Sequence, residues 1–309
     1  MLSRIAASIM RFAPAYPTDG DLALAEVFRR ADYTNATPIE QARIELASAE
    51  WRYAYEEQQD SLTRYFGRAI GDVADRRTLD LGCFTGGRLA FWTERHGLGV
   101  GTGIDVAVPF VRAAQRFARS KDLPLTFNVG FGESLPYRDG AFDLIISLDV
   151  FEHVREVRAV MAECWRTLSP GGLLLASFPP YFQPLESHLG MWTRIPALQW
   201  VFSGRTLSKA VQRISTERGD SALWYAYDGA QPWERSPYLN GITVRQFRKI
   251  VRDQGWRVRA QGTDPIFTDG RKAKLPIFRV LSRAISPLAR APLAEEAFLG
   301  RISVVLERR

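Results

Sequence analysis

The sequence predicts an α/β fold: a doubly wound, mostly parallel sheet with an N-terminal helical segment and inserted cap segments. Three observations carry this. The apolar run Thr78-Leu79-Asp80-Leu81 leads into Gly82-Cys83-Phe84-Thr85-Gly86-Gly87 and then Arg88-Leu89-Ala90-Phe91-Trp92, which reads as a buried strand, a glycine turn and a helix. A second run, Gly99-Val100-Gly101-Thr102-Gly103-Ile104-Asp105, ends in an acid before a helix over 108–120. Further buried strands follow at 144–148 and 173–178, with a helical pattern between them.

In chain order, Thr37-Pro38-Ile39-Glu40 is a capping box with proline at the first helical position, so a helix starts there. Ala42, Leu46, Ala49 and Tyr53 share one face and predict packing against the sheet domain. Tyr53, Tyr55 and Tyr65 are core residues or reach toward a ligand. The glycine turn fails two familiar patterns. A phosphate-cradling loop needs Lys and Ser or Thr after its last glycine, and here Arg88-Leu89 follows; a dinucleotide loop needs G-x-G-x-x-G, and position 84 is Phe. Asp105 can accept from both hydroxyls of a ribose, or cap the helix behind it.

Gly130-Phe131-Gly132-Glu133-Ser134-Leu135-Pro136-Tyr137 is a short acidic loop, and Phe142-Asp143 opens the strand that runs to Leu148. Glu152-His153 opens a helix expected from about Phe151, with Val154, Val157, Met161, Cys164 and Leu168 on one face and Pro170-Gly171 at its end. Residues 179–240 hold six prolines and four tryptophans, with Tyr181, Phe182, Tyr225, Tyr227 and Tyr238, and show no simple period. They follow a strand at the carboxyl edge of the sheet, where a substrate approaches. Thr243-x-x-Gln246 caps a helix with Phe247, Ile250 and Val251 inward, stopped by Gly255. Residues 256–260 alternate as a half-exposed strand and 301–306 form the last one; the insertion between them, 262–299, is expected to be helical around 275–284.

The ordered set from 78 to 180, Asp80-Leu81-Gly82-Cys83-x-Thr85-Gly86, then Asp105, the Gly132-Glu133 loop with Leu135-Pro136, Phe142-Asp143 and Glu152-His153, resembles the class I S-adenosylmethionine-dependent methyltransferases of type 11. The resemblance implies a Rossmann-like, seven-stranded sheet and S-adenosyl-L-methionine as cofactor. It places Asp80, Gly82, Cys83, Thr85 and Gly86 at the methionine end and Asp105 at the ribose. Gly132 and Glu133 then run along the adenine, with Val106 and Leu148 also at the cofactor. It further implies an extension, 1–77, that covers the cofactor site, a core at 78–180, an aromatic substrate cap at 181–240 and the remainder of the fold at 241–309. Two positions depart from the family pattern. Phe84 stands where glycine is frequent, and Phe131 where many relatives carry an Asp that accepts from the adenine amino group, a role Glu133 could take. Both departures motivate a non-catalytic scaffold as an alternative to an enzyme.

A methyl sulfonium is already an activated electrophile, so the protein's task is to align an acceptor and exclude water. A hydroxyl acceptor also needs its proton removed. The chain has three histidines. His153 is a candidate base, or a ring holding the helix start; His188, within Pro184-Leu185-Glu186-Ser187-His188-Leu189, is a candidate base or substrate partner. Asp149 and Glu186 are the carboxylate alternatives. His96, before Gly97, reads as a helix end. The expected reaction is O-methylation of a glycan or small natural product, because aromatic faces pack on sugars and planar ligands. The alternative is a lipid or quinone head group at a membrane surface.

Composition fits these readings. The net charge is +7, and from Asn240 onward 15 Lys+Arg face 6 Asp+Glu, leaving 26 against 28 before it. That basic part predicts peripheral attraction to an anionic surface or a solvated face, with no nucleic acid expected as partner. The two cysteines, Cys83 and Cys164, suggest neither a disulfide framework nor a metal cluster, and a cytoplasmic setting is expected. No run of 18 apolar residues occurs, and the first 11 residues are too short an apolar stretch for a signal peptide.

Overall fold

The computed structural model describes residues 1–15, 28, 31–184, 188–218, 231–235, 239–262, 264–266, 276–292 and 294–309; Glu186, Tyr225, Tyr227, Tyr238 and Leu275 lie outside them. In chain order the main elements are α1 (Leu2–Phe12), α2 (Pro38–Gln59), α3 (Ser61–Phe66), β1 (Thr78–Leu81), α4 (Gly87–His96), β2 (Gly101–Asp105), α5 (Val108–Ser120) and β3 (Leu125–Val129). After these come β4 (Phe142–Leu148), α6 (Val157–Thr167), β5 (Leu168–Phe178), α7 (Gly204–Arg218), α8 (Val244–Asp253), β6 (Arg257–Gln261), α9 (Pro276–Arg290) and β7 (Ile302–Glu307). The chain divides into two units, one of residues 30–177, 248–262 and 303–309 and one of residues 1–29, 178–247 and 263–302.

The first unit is built on a seven-stranded sheet of order β3-β2-β1-β4-β5-β7-β6. β1 pairs in parallel with both β2 and β4, so the winding reverses between β1 and β4. Among the described strand pairs of the sheet, β6 and β7 run antiparallel. This is the doubly wound, Rossmann-like sheet that the sequence predicts. Its central strands are buried because Leu79, Leu81, Leu144, Ile146 and Leu148 have helices to pack against on either face. In such sheets the ligand crevice lies at the carboxyl ends where the winding reverses.

α2 starts where the capping box places it. Thr37 N–H donates to Glu40 Oε2 at 2.8 Å, and Glu40 N–H donates to Thr37 Oγ1 at 3.3 Å. Its Ala49, with Leu46 and Tyr53, packs on Ala90 of α4 and Phe117 of α5. Tyr53 is a packing residue that donates to Glu94 at 2.6 Å. The helix also buries charge: Glu45 accepts from Tyr33 and pairs with Arg112 and Arg116, while Glu56 accepts from Trp92 Nε1 at 3.0 Å.

Three expectations need correction. The helix expected from Phe151 starts at Val157, because Asp149 turns left-handed at φ 58° and the amides of His153 and Val154 both close on Val150 O. β5 begins at Leu168 rather than Leu173, since Leu168 pairs with Phe142 before a shift in register. The segment 179–240, expected to lack periodicity, contains the 15-residue helix α7 with Leu207, Ala210, Val211 and Ile214 buried.

The second unit has its own core. Ala6, Ala7 and Met10 of α1 pack with Trp192, Leu198, Trp233 and the inner face of α7. α1 belongs to this core, whereas α2 belongs to the sheet unit. α9 runs through Pro287 to Arg290, further than the helix expected around 275–284.

Candidate functional site

At the carboxyl end of β1 the chain turns through Gly82 and Gly86, both at φ 76°. Neither tolerates a side chain. A Cβ on Gly82 would stand 2.2 Å from Val150 Cγ2, and one on Gly86 2.6 Å from Ala114 Cβ. Gly87 is closed from above by α2, since a Cβ there would lie 2.2 Å from Ala49 O, and Thr85 Oγ1 donates to Ser48 O at 3.4 Å. The turn is thus clamped between the β4 loop, α5 and α2. The need for Gly87 was not foreseen; its doubled glycine was the signal.

Beneath the turn, Asp80 is fully buried and Arg88 nearly so, paired at 3.1 Å. Arg88 also donates to Gly82 O at 3.2 Å and Leu148 O at 3.4 Å, tying the ends of β1 and β4 together. Burial pushes the Asp80 carboxyl up, and Arg88 opposes it. Asp80 Oδ2 has no hydrogen-bond partner among the described residues, so one acceptor remains for a donor from outside the chain. Arg88 is the site residue that sequence reasoning missed, because its partner lies eight residues back rather than one helical turn away. Cys83 is buried and its thiol is pushed well up by that burial, so it stays neutral.

Asp105 closes β2 and is held by two backbone donors. Phe84 N–H donates to Oδ2 and Ala107 N–H to Oδ1, each at 3.0 Å. The cap of α5 is Ala107 without a side-chain bond, so Asp105 does not cap that helix. Burial pushes its carboxyl up while the amide bonds hold it down. Each oxygen keeps a lone pair that can accept from a hydroxyl. Asp105 pairs with Val129, so Val106 and Gly130 leave adjacent strands side by side, and both Val106 and Phe131 are more than half exposed. Glu133 Oε1 accepts from the amides of Arg155 and Glu156 at 2.8 and 3.3 Å, which leaves Oε2 for other donors. Gly132 and Leu148 are buried beside these loops.

His153 follows β4, half-buried, with Nε2 3.8 Å from Oε1 of the buried Glu152. Asp149, exposed, ends β4 in the left-handed region with its amide donating to Ser177 O at 2.9 Å. The structure therefore brings Asp80, Gly82, Cys83, Thr85, Gly86, Asp105, Val106, Gly132, Glu133, Leu148 and His153 into the sheet unit. His188 is in the second unit, left-handed at φ 60° before the turn Leu189–Met191. His96 ends α4 beside a left-handed Gly97, and its Nε2 meets Asp60 Oδ1 at 2.9 Å. No cluster of three or more metal-ligating side chains occurs among the described residues.

Residues 79–176 match a family model described as a methyltransferase domain. Norajmaline N-methyltransferase of Rauvolfia serpentina is 33% identical over 98 residues, covering 31% of this chain and 33% of its own. Ubiquinone biosynthesis O-methyltransferase of Maricaulis maris is 34% identical over 102 residues, covering 33% of this chain and 39% of its own. The chain thus spans only about a third of the length of these curated relatives. Among solved structures, an S-adenosylmethionine dependent methyltransferase from Mesorhizobium loti is similar in fold, with a TM-score of 0.52 at 18% identity over 79% of this chain and 96% of that one. Residues 79–176 are thus similar to a methyltransferase domain, and the fold around them is that of the class I S-adenosylmethionine-dependent methyltransferases.

Proposed function

We propose that this chain transfers the methyl group of S-adenosyl-L-methionine to an oxygen of a glycan or small natural product. The observation that carries the reading is the pairing of a side-chain-free turn with a backbone-anchored carboxylate: Gly82 and Gly86 admit no Cβ, and Asp105 is fixed by the amides of Phe84 and Ala107. Asp80, Gly82, Cys83, Thr85 and Gly86 fit the methionine end, where the orphaned Asp80 Oδ2 can accept from an ammonium group. Asp105 fits a ribose diol. The exposed Val106 and Phe131 offer apolar surface to a purine beside the buried Gly132 and Leu148, with Glu133 at its edge.

When bound, the cofactor supplies an electrophilic methyl, so this chain's residues must orient the acceptor, exclude water and take one proton. His153 fits the proton acceptor, with the Glu152 carboxylate at ion-pair distance to balance an imidazolium. His188 is the second candidate, from the other unit.

A second reading, methylation of a quinone or lipid head group, is favoured by the apolar side chains that the second unit shows to solvent: Leu2, Ile5, Phe12, Trp200, Val201, Ile277 and Val280 among them. One relative named above acts in ubiquinone biosynthesis. The tryptophans lend the glycan reading less than composition suggested, since Trp192 and Trp233 are core residues. Titration calorimetry with S-adenosylmethionine tests the cofactor assignment, and absence of binding at micromolar concentration defeats both readings. Transfer of labelled methyl to a panel of glycans, phenols and quinone precursors then separates them.

A further inference from the structure

Two helices of the second unit share an arrangement that methyl transfer does not use. In α9 the buried residues are the small Ser282 and Ala289, while Ile277, Val280, Leu281 and Leu288 are 64%, 64%, 42% and 41% exposed. Their spacing of three, four and eleven residues from Ile277 puts them, with the exposed Ala284, on one stripe. The helix thus rests on its small side chains and turns its aliphatic face to water. α1 repeats the pattern: Ala6, Ala7 and Met10 are buried, and Leu2, Ile5, Ile9 and Phe12 line an exposed face.

Charge identifies the occupant. α1 carries Arg4, and Arg11 paired with Glu217 at 2.6 Å; α9 carries Arg279, Arg283 and Arg290, and neither helix contains an acidic residue. Residues 271–294 as a whole hold six Lys+Arg and no Asp or Glu. Symmetric pairing of two copies through α9 would bring like charges together without a carboxylate on either helix. An anionic bilayer complements each of these faces, since aliphatic side chains enter the acyl boundary while arginines stay at the headgroups. No described helix is long and apolar enough to cross a membrane, so the geometry is that of a helix lying in the interface.

We propose that α9, together with α1, docks the second unit on an anionic phospholipid surface. The surface deepens the head-group reading above and draws its functional meaning from it. The two are tested separately, because vesicle binding is read without cofactor and cofactor binding without lipid.

The full chain is floated with phosphatidylcholine vesicles, with and without phosphatidylglycerol. Binding is expected only with the anionic lipid, and is expected to weaken as salt rises. The combined change Ile277→Ser, Val280→Ser and Leu281→Ser should reduce binding at least ~10-fold, and Arg283→Gln about fivefold. Both should leave the thermal melt in place, because these side chains are exposed. In addition, Leu281→Cys carrying an environment-sensitive fluorophore should brighten on anionic vesicles; labelling is selective because Cys83 and Cys164 are buried. Failure of the unaltered chain to bind, unchanged binding by the triple variant, or a solution dimer that the triple variant dissolves would each overturn the proposal, the last in favour of a second copy of this chain.

Discussion

The main-chain amide of Phe84 donates to Oδ2 of Asp105 across 3.0 Å, joining the glycine turn after β1 to the acid that ends β2. That bond requires Phe84 to stand in the left-handed region at φ 51°, which glycine adopts without penalty and phenylalanine does not. The ring is retained against Phe110, with centroids 4.3 Å apart. Phe84 therefore takes a backbone conformation that suits glycine and adds an aromatic wall beside the turn.

Phe84→Ala should destabilise the fold by about 1–2 kcal/mol through loss of a half-buried ring. Phe84→Gly should then be more stable than Phe84→Ala by ~0.5–1 kcal/mol, because only glycine relieves the left-handed backbone. Urea denaturation of the two variants checks this. The ordinary order, with alanine the more stable, would show that the turn is unstrained.

Asp105→Ala should weaken S-adenosylmethionine binding by ~1.5–3 kcal/mol, the range for hydrogen bonds to a charged group. Calorimetry reads the change directly. Unchanged affinity would remove Asp105 from the ribose.

The sheet unit was legible because its signals are local. The Thr37 capping box, the glycine turn and the apolar runs each act within a few residues, and the start of α2 and the bounds of β1 and α5 fall where those signals place them. The second unit was not, because its helices obey two demands at once. α7 has inward residues at 207, 210, 211 and 214, yet the tryptophans and prolines around it hid that period. In α9 the most apolar face points outward, so reading the stripe as core gives the wrong side. In the site, Arg88 reads as a surface helix residue and proves to be the counter-charge of Asp80.

Acid should weaken the fold through Asp143. Two bonds from the Arg77 guanidinium, at 2.9 and 2.7 Å, hold its carboxyl down to about 2. The unfolded value lies near ~4, so the stabilisation is complete above about pH 4 and is lost as pH falls toward 2. With side chains 41% and 35% exposed, screening reduces the contribution to about 1 kcal/mol. The stability difference between the unaltered chain and Asp143→Asn should therefore shrink as pH drops through that window. A difference that is constant with pH would show that the ion pair is not the cause.

Trp192 is 1% exposed, sits edge-on to Trp233 at 5.6 Å and donates from Nε1 to Ser215 at 2.8 Å. It supports the second unit from inside. Trp192→Ala should cost ~3–5 kcal/mol, whereas Trp200→Ala, at a half-exposed site, should leave the melt nearly unchanged. If Trp192→Ala melts like the unaltered chain but loses acceptor affinity, the residue is a ligand platform instead.

The proton acceptor is decided by separating turnover from binding. His153→Gln should lower kcat by ~10²–10⁴ for a hydroxyl acceptor, the usual worth of a positioned base. Cofactor affinity should hold, because Asp80, Asp105 and the glycine turn are untouched. His188→Gln gives the same signature if His188 is the base. A structural His153 would instead lower the melt and raise KM without a selective loss in kcat. Asp149 takes the role if both histidine variants keep their turnover: it is exposed at the end of β4, next in chain to Leu148, and held left-handed at φ 58°, a backbone state that non-glycine residues adopt at some cost and that clusters at working sites. Asp149→Asn would then lower kcat where the histidine changes do not, and a pH–rate profile that loses its acid limb in that variant would identify the carboxylate as the base.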